Sequence, residues 1–362
     1  MGNTNRSDIN KLFLQLIRAG IGQSEPNLDG LAQPIDWLAL QDLAEKQGLS
    51  AIVLDGVEKL PLEKRPQKKD LLQWIGEVLQ SESVYAGQWK SACEMALLFE
   101  NNHIRTYILK GFVVSECYPK PEHRVSVDLD SFLVPHKGDF DAWELGNQLM
   151  EQAGFEVDRS FYKNSTITLP GLTVENHQFM TAVRGSKRLK NLERFLQSWI
   201  YGDTEPQKFK GTCMYRPPVM VSALFLIEHA YAHFLHEGLT WRMVLDWMMF
   251  SKKHQKEIDR YALDALIGGF GFKRFYDSFV KLGEYLLGEV PEQDLTKMDK
   301  KMLADVWSDL DMHDFHGVKG KLALAGNEIR AAWKYKYFSP DTMIGDLFRR
   351  VKGFLFERNP KI

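Results

Sequence analysis

Residues 108–134 read ILKGFVVSECYPKPEHRVSVDLDSFLV. Two carboxylates, Asp128 and Asp130, stand one apolar residue apart in a β-like run. Side chains alternate across a strand, so residues two apart face the same way. Two acids on one face repel each other and cost stability unless a cation sits between them. A divalent metal is the usual remedy, and phosphate chemistry is a common reason to hold one.

Outward from this stretch, the hydrophobic period changes twice. Residues 104–109 and 125–134 read as short buried strands, and 139–153 as a helix closed by Gly154. Residues 155–161 and 165–169 read as a hairpin pair, and 172–179 as a further strand. Short turns between strands imply that some pairing is antiparallel. Before this region the spacing is helical, from Asp8 to about Asn102, with the polar connection Pro61–Lys69 as a surface loop. After Lys187 it is helical again, over 189–199, 217–236, 239–250, 258–267, 272–287 and 297–310. The expected fold class is α+β: a small mixed β-sheet flanked by N- and C-terminal helical regions, divided as 1–102, 103–186 and 187–362.

Composition narrows the function classes. The 362 residues are 44% apolar and 26% charged, with a formal net charge of −2. That is the make-up of an ordinary globular protein, with no global pull toward nucleic acid. The opening MGNTNRSDINKLFLQLIRAG is too polar for a signal peptide. No uninterrupted apolar run approaches the roughly 20 residues that span a bilayer. Cys93, Cys117 and Cys213 lie far apart without CxxC spacing, which reads as reduced thiols in a cytoplasmic protein.

A firm metal site needs a third acid. The strand Leu172-Thr-Val-Glu-Asn-His177 offers Glu175, with His177 two residues on and so on the same face. If the two strands pair, Asp128, Asp130 and Glu175 can clamp Mg²⁺ and leave positions for phosphate oxygens. A two-metal arrangement lowers the pKa of an attacking hydroxyl and neutralises departing pyrophosphate. Lys110-Gly111 ends a strand and leads into a helix expected over 112–118. Glycine there permits close backbone approach to a phosphate, and the helix start adds favourable dipole. Lys110 and Arg124 supply counter-charge. Each piece has a plain reading alone: a surface DxD, an exposed strand glutamate, a core histidine. In this order, on these elements, they read as one site.

Other clusters favour plainer readings. His229, His233 and His236 share one side of an apolar helix, a spacing that can bind zinc. With no HExxH and no nearby cysteine, core histidines are the better account. Arg242 and Asp246 are spaced as a helix ion pair. Arg184, Lys187, Arg188 and Lys190 read first as a solvated helix start, and second as a hold on a triphosphate tail or an acceptor. The basic amphipathic stretch 346–356 reads first as a segment packed on its own domain, and only second as a membrane-surface helix. No GxxxxGK[ST] is present, which disfavours a P-loop NTPase.

The order Leu109-Lys-Gly111, Tyr118-Pro119, Arg124, Asp128-Leu-Asp130 and a hydrophobic strand resembles a family. It is the uncharacterised bacterial nucleotidyltransferase-like family with an LKG…YP…R…DLDLLV signature, a branch of the DNA polymerase β-like superfamily. Val174-Glu175-Asn176-His177 is similar to that family's acid-x-His strand. His229-Ala-Tyr-Ala-His233 and Trp241-Arg242-Met-Val-Leu-Asp246 are similar to its helical motifs.

The resemblance implies a nucleotidyltransferase palm with Mg²⁺ (or Mn²⁺) on Asp128 and Asp130, completed by Glu175. It implies nucleotide contacts from Lys110, Gly111, Arg124, His177 and Arg242. The reaction implied moves a nucleoside monophosphate from an NTP to an acceptor hydroxyl, on a small molecule or a polymer other than nucleic acid. The resemblance does not identify the acceptor, and the family's link with cell-surface polysaccharide genes makes a sugar or sugar phosphate one candidate. Three departures separate this chain from the wider superfamily. Lys110-Gly111 replaces Gly-Ser, the third acid is Glu instead of Asp, and the run after Asp130 is one residue longer, which a bulge can absorb. These departures favour the alternative, a non-catalytic nucleotide- or phosphosugar-binding protein using the same cleft.

Overall fold

A computed structural model of the chain describes residues 6–31, 33–308, 332–356 and 360. Its elements are α1 (Arg6–Gly20), α2 (Trp37–Lys46), α3 (Ser50–Val57), α4 (Lys68–Asn101), β1 (Ile104–Ile108), α5 (Phe112–Ser115) and β2 (Asp128–Pro135). Then come α6 (Ala142–Gln152), β3 (Glu156–Asp158), β4 (Asn164–Leu169), β5 (Leu172–His177), α7 (Lys187–Tyr201), β6 (Gln207–Lys208) and β7 (Met214–Arg216). The chain continues through α8 (Val219–His236), α9 (Trp241–Lys253), α10 (Arg260–Gly269), α11 (Lys273–Leu287) and α12 (Lys297–Ser308). A helical segment over 332–338 and the helix Met343–Phe356 complete the described part. The expected helix over 297–310 is α12, its last two residues lying outside the described ones, as do residues 1–5 of the opening segment.

The strands form one mixed sheet in the order β3-β4-β5-β2-β1-β7-β6. β2 is central, antiparallel to β1 and parallel to β5. A strand flanked on both sides and covered on both faces should be apolar throughout. β2 obeys this from Leu129 to Val134 except at Asp130 and Ser131, and both are buried nonetheless. Its register with β5 is continuous from Asp128↔Thr173 to Phe132↔His177, so no bulge absorbs the longer run. β2 begins at Asp128, later than the residue 125 expected. The carbonyl of Val125 accepts from Arg242 and the Ser126 hydroxyl from Arg124, so these residues are held by side chains and not by a ladder.

The sheet also recruits β6 and β7 from the stretch after Lys187 that the periodicity left between helices. β7 pairs parallel with β1, Thr106↔Met214 and Tyr107↔Tyr215. Strands of two and three residues are too short to show a period of two.

Helices wrap this sheet. α4 is 34 residues long and buries one face through Trp74, Val78, Ala92, Met95, Ala96 and Phe99, packing its end on β1. α1 and α3 cross closely because a Cβ at Gly20 or Gly56 would collide with the backbone carbonyl of the facing helix. α8 is buried almost all round. By length and composition it is apolar enough to cross a membrane, contrary to the sequence expectation, but most of it lies in the core, where such a pattern is ordinary. One hydrophobic cluster runs from Leu12 to Phe338. Cys93, Cys117 and Cys213 are free.

Candidate active site

The parallel pairing of β2 and β5 sets Asp130 directly opposite Glu175. Strand alternation then puts Asp128, Asp130, Glu175 and His177 on one face. His177 lies two residues beyond Glu175, and its Nε2 is 3.0 Å from Asp130 Oδ1 and 3.6 Å from Glu175 Oε2. Its Nδ1 lies 3.1 Å from the carbonyl of Phe179. The ring thus spans two acceptors, the Phe179 carbonyl at Nδ1 and Asp130 Oδ1 at Nε2, and with Nδ1 donating to the carbonyl a metal ion would take the Nε2 position in place of the contact with Asp130. Asp130, Glu175 and His177 each offer one ligand atom, all within 4.8 Å of one another. Among the described residues this is the one such group of three or more.

Asp128 stands outside that group. It occupies the first position of β2 and is half-buried. Its charge still acts on Glu175, Arg124 and Arg242. The metal-capable set is therefore Asp130, Glu175 and His177, with Asp128 beside it. A histidine completes the group where a third carboxylate was expected.

Electrostatics divide the two acids. Burial alone would raise the pKa of Asp130, but the Lys110 ammonium and the His177 imidazole hold it well below the usual carboxylate range. The Lys110 Nζ is 3.8 Å from Asp130 Oδ2, an oxygen that is buried and has no hydrogen-bond partner. Glu175 goes the other way. Burial raises its pKa, the charges of Asp130 and Asp128 add to this, and His177 and Lys163 offset only part. Two carboxyls whose surroundings push them apart suit different roles. Two carboxylates and an imidazole form a donor set that can hold a divalent metal ion.

The wall opposite the sheet is α8. Phe225 packs edge-on to His177, with ring centroids 6.3 Å apart, and His229 Nε2 lies 2.9 Å from Lys110 Nζ. Burial and the neighbouring Lys110 push the His229 pKa well down, so the neutral ring accepts from the ammonium. His233 pairs with Glu237 at 2.7 Å, and His236 lies against the Tyr335 hydroxyl. The three α8 histidines thus have separate partners and form no common ligand group among the described residues, against the zinc reading, but His236 is exposed and His229 and His233 are half-buried, so they are not core residues either.

Gly111 has φ +72°, a left-handed conformation that favours glycine, and it leads into α5. α5 is a single turn, shorter than the helix expected over 112–118, so its dipole is small. Arg124 is 1% exposed and committed to protein partners. Its Nε and Nη2 donate to Asp246 at 3.1 and 2.7 Å, and its Nη1 donates to Ser126 Oγ at 3.1 Å. Ser126 in turn donates to the Asp128 carbonyl at 2.8 Å. Tyr118 donates to Asp246 Oδ1 at 2.8 Å. Arg242 does not take Asp246 as its ion-pair partner but donates to the Val125 carbonyl at 2.8 Å. Both arginines hold the segment that feeds β2, and so act on Asp128 and Asp130 from behind.

A family model described as an uncharacterised nucleotidyltransferase matches residues 33–288. The chain belongs to that family. Searches of curated proteins and of solved structures return no match. The nucleotidyltransferase match takes in the whole sheet, α8 and α9, and so every candidate site residue. The sequence motifs LKG, DLD and VENH fall at the Lys110 turn, the start of β2 and the end of β5, around one face of the sheet. Sequence reasoning did not foresee that Lys110 meets His229, or that Tyr118, Arg124 and Asp246 form one cluster. Partners 119 and 122 residues apart leave no local pattern.

Proposed function

We propose that this chain is a Mg²⁺- or Mn²⁺-dependent nucleotidyltransferase. It moves a nucleoside monophosphate from an NTP to the hydroxyl of a sugar or sugar-phosphate acceptor and releases pyrophosphate. The observation that carries this reading is the convergence of Asp130, Glu175 and His177 from paired parallel strands. A divalent ion held there, when bound, screens the phosphate charge and acidifies the attacking hydroxyl.

The chain's own residues divide the remaining work. Asp130 stays ionised, and Asp128 adds negative charge at the mouth of the site. Lys110 sets an ammonium where triphosphate oxygens gather, and neutral His229 aims it. Gly111 lets the backbone approach those oxygens. Glu175, opposite Asp130 and partly exposed, takes the proton of the acceptor hydroxyl. The acceptor oxygen then bonds to the α-phosphorus, the bond from that phosphorus to the bridging oxygen breaks, and pyrophosphate leaves with the electron pair. Arg124 and Arg242 position β2 in place of touching nucleotide.

Calorimetry with each NTP, with and without Mg²⁺, tests the reading on wild type, Asp128→Asn and Asp130→Asn. Metal-dependent binding lost in Asp130→Asn supports it, and pyrophosphate release with candidate acceptors separates enzyme from binder. One observation favours a second reading, a non-catalytic nucleotide or phosphosugar binder. The Lys110 ammonium already lies 3.8 Å from Asp130 Oδ2, supplying positive charge to that carboxylate without a metal. Binding that needs no metal and survives Asp130→Asn would establish that alternative.

A further inference from the structure

A cavity of about 540 Å³ opens between α8, the segment after β5, residues 161–162 and the helix Met343–Phe356. That volume suits a small-molecule site. Glu228 of α8 lines it, is 5% exposed, and has no hydrogen bond or ion pair among the described residues. Burying a carboxyl without a partner costs free energy, so such a group in a cavity wall points to a ligand that completes it.

The lining defines the ligand's chemistry. Four arginines and four acids face this cavity, so its charges balance. Asp341 accepts from Arg188 and Arg349 at 3.2 Å each, and Asp346 takes Arg349 and Arg350. A phosphate site needs an excess of donors and positive charge, whereas here Arg188, Arg349 and Arg350 are already met by Asp341 and Asp346, and the group left without a hydrogen bond or ion pair among the described residues is the Glu228 carboxyl. Phe161, Tyr162 and Tyr231 supply aromatic surface, with the Arg184 guanidinium stacked 3.8 Å from the Tyr162 ring centre. A carboxyl among aromatic rings suits hydroxyls on a ring with apolar faces.

Position defines the ligand's role. In the sheet, β1 flanks β2 on one side, and β5 then β4 on the other. Lys110 therefore approaches Asp130 from the β1 side. Glu175 and Lys163, just before β4, lie on the other side. Tyr162 of the cavity is followed by Lys163, whose carbonyl accepts from Gln178 and Phe179 just beyond His177, and Glu228 is followed by His229, which meets Lys110, so the cavity adjoins the acids. In-line displacement sets attacking and leaving oxygens on opposite sides of the phosphorus. With the leaving group at Lys110, the attacking hydroxyl enters from the side of this cavity.

We propose that the cavity is the acceptor pocket and takes an uncharged, hydroxyl-rich ring compound, a free sugar and not a sugar phosphate, through hydrogen bonds to Glu228. This assignment rests on the transfer reaction proposed above. The test is saturation-transfer NMR on the full chain with glucose, galactose, mannose, N-acetylglucosamine and their 1-phosphates, for wild type, Glu228→Leu and Glu228→Gln. Support is binding of a free sugar that weakens about tenfold in Glu228→Leu, with metal-dependent ATP binding unchanged. Glu228→Leu should be at least as resistant to heat as wild type, because it removes an unpaired buried carboxyl. Should it unfold, the near-isosteric Glu228→Gln decides by a severalfold loss of the same sugar. The proposal is overturned if no free sugar of the panel binds, or if the 1-phosphates bind more tightly. It is equally overturned if sugar binding ignores both variants, or if Glu228→Leu loses ATP instead, which would make the cavity a nucleoside site. Absence of metal-dependent ATP binding in the wild type would sink the transfer reading separately, with sugar binding still measurable on its own.

Discussion

Arg124 and Asp246, 122 residues apart in the chain, are joined by two hydrogen bonds in the protein interior. Each exists buried only because the other does. Burial alone would favour uncharging both, but their mutual attraction raises the pKa of Arg124 and lowers that of Asp246. Through Ser126 the pair holds the carbonyl of Asp128, the first residue of the strand that carries the acids. Removing one partner leaves a buried charge unmatched. Asp246→Ala should therefore lose about 3–5 kcal/mol of unfolding free energy. Urea denaturation followed by circular dichroism measures it, and a loss below 1 kcal/mol would show that the pair is dispensable.

Lys110 bears on metal and nucleotide in opposite directions. Its ammonium repels a cation at Asp130 and attracts phosphate oxygens. Lys110→Met should tighten Mn²⁺ binding in the absence of nucleotide. It should weaken NTP binding about tenfold or more, the scale of one lost charge-assisted hydrogen bond. Titration with Mn²⁺ alone, then with ATP and Mg²⁺, reads both signs. Parallel changes in the two affinities would contradict this role.

The legible part of the fold was its centre. Asp128 and Asp130 two apart, and Glu175 and His177 two apart, put the right groups on one face once the strands were placed side by side. Period and alternation carry that information locally. The ends of the sheet were not legible, because β6 and β7 are too short to alternate. The membership of the metal-capable group was only half legible. Alternation made His177 a neighbour of Glu175, but the ring's reach to Asp130 depends on the register of β2 against β5, which no local pattern records. Arg124 and Arg242 looked like phosphate ligands because they are basic and near the motif. Arg124 is buried against Asp246 of α9, and Arg242 of α9 donates to the Val125 carbonyl before β2; both engagements depend on the packed chain and not on local sequence.

The same register separates the two aspartates of the DLD motif. Asp130 belongs to the group within 4.8 Å, and Asp128 lies outside it. Asp130→Asn should abolish Mn²⁺ binding measured without nucleotide, whereas Asp128→Asn should leave it within about threefold, having removed only charge at a distance. His177→Ala should weaken it by about 10- to 100-fold, through a lost donor and a freed carboxylate. Electron paramagnetic resonance of Mn²⁺ titrations ranks the three variants. Equal losses in the two Asp variants would return Asp128 to the metal group.

His123 predicts a pH dependence of stability independent of the site. Its Nδ1 and Nε2 lie 2.7 Å from Asp55 of α3 and Glu82 of α4, tying the segment before β2 to the N-terminal helices. Burial works against the charged ring and Lys120 opposes it, but the hydrogen bonds to the two carboxylates prevail and the pKa is raised above 6.5. A folded-state pKa above the unfolded one means that the folded chain binds the extra proton more tightly. The stabilisation is therefore complete below about pH 6.5, the unfolded value, and disappears as pH climbs through the raised folded value. The melting temperature of the wild type should fall over that interval, while His123→Gln should show a shallower slope there and a lower melting temperature at pH 6. Differential scanning calorimetry across pH 5.5–9 compares the two. Identical slopes would mean that the ring is neutral in the folded protein and that the carboxylates share a proton donor elsewhere.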